Sequence, residues 1–95
     1  MPSYRVTMAI GVLAPGVRPD AVLPAAKSAT LELAVVEAAD LQIVSGKARI
    51  VVRVTADDSE VAAQIGRHVA SRTNAAASVT SWRVTERLGG RWEPI

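Results

Sequence analysis

One stretch, Lys47 to Ala70, constrains the fold more than any other: KARIVVRVTADDSEVAAQIGRHVA. Its first half alternates with period two. Ala48, Ile50, Val52 and Val54 fall on one face, and Arg49, Val51, Arg53 and Thr55 on the other. That alternation, rich in β-branched residues, predicts a half-buried strand whose apolar face needs cover. Asp57, Asp58 and Ser59 then offer side-chain oxygens to the free N–H groups of a helix start, with Asp57 and Glu60 spaced like a capping box. Beyond the cap, Val61, Ala62, Ile65, Val69 and Thr73 recur at helical spacing, while Glu60, Gln64, Arg67, Ser71 and Arg72 keep the other side polar. Gly66 interrupts this helix at a cost of about 1 kcal/mol against Ala, which a close contact with the sheet would explain.

The rest of the chain supplies partners for that strand and helix. Tyr4, Val6, Met8, Ile10 and Val12 alternate with Arg5, Thr7, Ala9 and Gly11, which predicts a first strand over 3–13. Arg5 followed by VTMAIGVLA has the outline of a leader peptide, but the alternation and Pro15 favour a strand of the mature protein. Residues 14–19, APGVRP, form a loop, and Asp20 is the candidate cap of a helix over 20–34 whose stripe is Val22, Ala25, Ala26, Ala29 and Leu33. Pro24 is tolerable in its first turn. Residues 34–40 are compatible with either a longer helix or the start of a strand. Hairpin arithmetic settles the part that follows. With Ser45-Gly46 as a two-residue turn, Ile43 faces Ala48, Leu41 faces Ile50 and Ala39 faces Val52, all toward the core. Asp40 then sits diagonally between Arg49 and Arg53. The second helix is expected over 58–73 and a fourth strand over 78–88, with Trp82 and Val84 sharing a core face with Thr80 and Glu86. Gly89-Gly90 turns the chain, and RWEPI folds back as a short hairpin or tail.

This order, β-α-β-β-α-β, resembles the ferredoxin-like superfold. The resemblance implies an α+β sandwich in a single domain over 1–95. Its four-stranded antiparallel sheet would have order 4-1-3-2, with both helices on one face. It carries no function with it.

Composition narrows the function classes. At 49% hydrophobic residues the chain is not disordered. It has no Cys, hence no disulfide, thiolate or Cys metal site, and a reducing cytoplasm suits it. His68 is the only His and reads as an exposed helix residue. No hydroxyl, His and acid follow a recognisable catalytic order, and no phosphate loop is present. No cofactor is expected, and no apolar run approaches the ~18 residues of a membrane span.

The distributed feature is a set of arginines. In a 4-1-3-2 sheet, Arg5, Arg49, Arg53, Arg83 and Arg87 share the face turned away from the helices, with Asp40 as the one acid placed among them. RNA-recognition modules use that face but stack bases on aromatic side chains there, whereas Tyr4 and Trp82 point the other way. Nucleic acid is thus a weakly supported partner. Trp92 reads either as a lid over the core or as a partner contact. The leading expectation is a small non-enzymatic interaction module, self-associating as a homodimer. One alternative is a binding module for an anionic small ligand or nucleic acid on the arginine face. The other is a small enzyme completed by oligomerisation.

Overall fold

Ser45 and Gly46 both have positive φ, 52° and 77°. A two-residue hairpin turn of the type whose twist matches the flanking strands requires this at both central positions. The turn joins β2 (Val36–Val44) to β3 (Lys47–Thr55) in the register that the alternation dictates: Ile43 opposite Ala48, Leu41 opposite Ile50, Ala39 opposite Val52. This and all that follows come from a computed structural model that describes all 95 residues.

The chain runs β1 (Ser3–Leu13), α1 (Val22–Leu31), β2, β3, α2 (Ser59–Asn74), β4 (Ala77–Leu88) and β5 (Arg91–Pro94). The sheet is antiparallel with order β2-β3-β1-β4-β5. The expected four strands are therefore five. RWEPI is not a loose tail: Arg87 pairs with Trp92 and Leu88 with Arg91, so β5 takes the edge that β4 would have held.

Both helices lie on one face. β1 contributes Tyr4, Val6 and Met8 to the core, and β3 contributes Ile50, Val52 and Val54; against them pack Ala26 of α1 and Ala62, Ile65 and Val69 of α2. The alanines let the helix axes approach closely, which a core without Phe needs in order to fill its volume. Gly66 is a close approach of α2 to β4. A Cβ there would stand 2.6 Å from Val84 Cγ2 and 2.8 Å from Trp82 Cζ3.

Several local expectations are corrected. α1 is shorter than 20–34: a 3-10 turn over Pro19–Ala21 precedes it, and Asp20 pairs with Arg18 instead of capping. The helix stops where the Thr30 carbonyl accepts from the N–H groups of Leu33 and Ala34. The β-branched pair Val35-Val36 then turns residues 36–40 into strand. The cap of α2 is Asp58, not Asp57; its carboxylate accepts from the Val61 N–H at 2.9 Å. In β4 the register shifts after Ala9–Ser81, so Val79 rather than Thr80 opposes Ile10 on the core side.

Three side chains expected in the core are only partly covered. Trp82 lies against Gly66 but remains 39% exposed. Leu41 and Ile43 keep the predicted register, yet are 46% and 67% exposed. Val36 and Ala39 pack on the core, while the second half of β2 runs out beyond the helical layer. No helix is long and apolar enough to cross a membrane.

Candidate functional site

Register places three rows across the sheet face that the helices leave open. One row runs Ala38, Arg53, Arg5, Thr85, Pro94 from β2 to β5; the next runs Asp40, Val51, Thr7, Arg83; the third runs Gln42, Arg49, Ala9, Ser81. Arg87 sits beside Trp92 at the β5 edge. All five arginines thus share one face, and their surroundings divide them into two groups.

Arg5 and Arg53 stand directly opposite each other, an arrangement that like charges disfavour. Trp92 offsets it. The Arg5 guanidinium carbon lies 4.1 Å from the indole centroid and that of Arg53 5.3 Å, both within cation–π reach. Trp92 therefore lies on the arginine face, as the stacking surface for two of them, and not over the core. Glu37 completes the cluster. Its carboxylate is 3.5 Å from Arg53 Nε and accepts from the Ser3 hydroxyl at 3.0 Å. Arg87 is tied back as well, donating from Nε to the Gly89 carbonyl at 3.2 Å.

Arg49 and Arg83 differ. Neither enters an ion pair. Arg49 Nε, like Arg53 Nε, is shut off from solvent with no hydrogen-bond partner, but Arg49 has no carboxylate beside it. The two flank β1 from opposite sides and line a cavity of about 270 Å³ with Thr7, Ala9, Ser81 and Trp82. The small side chain of Ala9 leaves the space between them.

The sequence reading missed Glu37, while Asp40 does sit diagonally between Arg49 and Arg53 as the hairpin register predicts. Strict alternation puts Glu37 on the core side. However, the pairing shifts between Val36–Val54 and Ala38–Arg53, which makes Glu37 the extra residue of a bulge and turns it to Arg53. Asp40 makes no ion pair at all. His68 is likewise not a free helix residue. Its Nε2 is 2.8 Å from Glu32 Oε1, and because a carboxylate only accepts, that nitrogen carries the proton. No group of three His, Cys, Asp or Glu side chains is placed to share a metal.

The second surface is the β2 edge. β2 is nine residues long and has no strand on its outer side. Leu41 and Ile43 project toward the helix side of this edge, Asp40 and Gln42 toward the open side. An exposed apolar edge is a template for strand addition.

Comparison with protein-family models, curated proteins and solved structures finds no match to this chain.

Proposed function

We propose that this domain is a non-enzymatic interaction module that self-associates by pairing β2 with β2 of a second copy. The carrying observation is the exposure of Leu41 and Ile43, 46% and 67%, on an unpaired nine-residue edge. β2 is self-complementary in one antiparallel register. With the two-fold axis at Leu41, the two Leu41 side chains meet, Ile43 faces Ala39, and Asp40 faces Gln42 of the other copy. Moving the axis by one residue to Asp40 would set two carboxylates against each other. We further read the β1–α1–β2–β3–α2–β4 core as ferredoxin-like, with β5 added at one edge. Its carboxylates with known partners have structural work: Asp58 caps α2, Glu32 joins the helices and Glu37 holds Arg53.

Size-exclusion chromatography with light scattering tests the assignment. The wild type is expected at twice the 10.0 kDa chain mass, and Leu41→Lys at the single mass with an unchanged far-UV spectrum. A wild type that stays monomeric at millimolar concentration would overturn it. A dimer that survives Leu41→Lys combined with Ile43→Lys would do the same.

A further inference from the structure

We infer that the dish between Arg49 and Arg83 binds a tetrahedral oxyanion, the phosphate group of a small phosphorylated ligand. The inference is independent of the β2 edge. It begins with Arg49, which lines the cavity and enters no ion pair. A guanidinium with no carboxylate partner keeps its charge-assisted hydrogen-bonding capacity for an anion that enters the cavity. Arg83 approaches from the other flank of β1 and is equally free of carboxylates. Between them Thr7, Ala9 and Ser81 line the same cavity. Two guanidinium groups and two hydroxyl side chains on the lining of one cavity suit an anion with oxygens in several directions. A planar carboxylate would leave part of that set unmatched.

The size of the dish sets the class of ligand. At about 270 Å³ it falls below the roughly 300 Å³ at which pockets for drug-sized ligands begin. A phosphomonoester on a short carbon chain fits this scale. A nucleic acid strand does not suit the face. Binding along a strand calls for a series of free aromatic platforms, and the one aromatic here, Trp92, already carries Arg5 at 4.1 Å. Glu37 is occupied by Arg53 and Ser3, and no acid forms an ion pair with Arg49 or Arg83.

Calorimetric titration with inorganic phosphate, glycerol phosphate and a single-stranded oligonucleotide is the test. Saturable binding of phosphate and glycerol phosphate, one per chain, is expected. Arg49→Ala and Arg83→Ala should each weaken it about tenfold or more, the loss for one charge-assisted hydrogen bond. Arg49→Lys keeps the charge but removes the planar fork of donors, and should weaken it as well. Lys27→Ala, which removes a charge from the helix side, should leave affinity unchanged. Phosphate binding that does not saturate, an Arg49→Lys protein that binds like the wild type, or an equal loss in Lys27→Ala would overturn the assignment. Oligonucleotide binding that tightens with length in the absence of phosphate binding would replace it with a nucleic-acid interface.

Discussion

A methyl group added at Gly66 would have to share space with Val84 Cγ2 at 2.6 Å and Trp82 Cζ3 at 2.8 Å. Two effects oppose each other there. Ala in a helix interior is favoured over Gly by about 1 kcal/mol. Overpacking against a core that cannot move costs about 1–3 kcal/mol. Trp82, 39% exposed, has room to swing aside, but Val84 is 6% exposed on a strand paired on both sides. Overpacking should win, so Gly66→Ala is expected to lose about 1–2 kcal/mol in urea denaturation. A gain in stability would mean that α2 slides off the sheet at no cost. The position was legible in the sequence, because a Gly inside a periodic helix asks for a reason. Glu37 was not. Its role depends on a bulge, and period-two reasoning has no signal for an extra residue. The arginines show the same limit. Alternation assigns all five to one face, but it does not say that Trp92 and Glu37 occupy Arg5 and Arg53 and leave Arg49 and Arg83 free.

Between elements, the contact that joins the two helices is electrostatic. Glu32 follows the last turn of α1, where a negative charge opposes the helix dipole. His68 and Arg72, one turn apart on α2, answer it: each contacts one carboxylate oxygen at 2.8 Å. The hydrogen bond from His68, and then the charge of Arg72, hold the Glu32 carboxyl below its ordinary value of 4.5. A carboxyl depressed on folding adds stability that is fully present above its unfolded pKa and lost as pH falls through the folded one. Thermal midpoints of the wild type should therefore fall as pH drops below about 4.5, the ordinary value. Glu32→Gln should be less stable at neutral pH and flatter across that acid window. Parallel curves for the two proteins would mean that the contact contributes nothing in solution. The sequence did not announce this clamp. It joins residues 36 and 40 positions apart, and its existence depends on where α1 stops, the kind of boundary that propensity places poorly. The β2–β3 hairpin was readable for the opposite reason. Its partners are local, and a slip of one residue would turn every apolar side chain outward.

At the scale of the molecule, one layer of helices on one sheet gives a body 18 Å thin along its shortest axis, so one whole sheet face remains open. The four-strand order expected at the outset came with the ferredoxin-like resemblance, and the sheet differs from it by β5, which required only that RWEPI find an unpaired edge. How far the helices reach over β2 could not be read from periodicity, which assigns a face but not its cover. That uncovered end bears on assembly. Stacking the open faces would bring arginines together and desolvate them, which is unfavourable without intervening acids. Pairing through β2 instead extends one sheet across two copies and leaves both arginine faces in solvent. Such a dimer makes stability depend on concentration, because only the folded state associates. A tenfold rise in protein concentration adds roughly 1.4 kcal/mol per mole of dimer. For a chain of this length that shifts the thermal midpoint by about 3–5 °C. Differential scanning calorimetry of the wild type over two decades of concentration should show this slope, and Leu41→Lys should show none. High salt should preserve the slope, since apolar contacts and backbone hydrogen bonds are little screened. A slope that disappears in high salt would place the interface on charged surface. A midpoint constant at all concentrations in the wild type would leave β2 an unpaired edge.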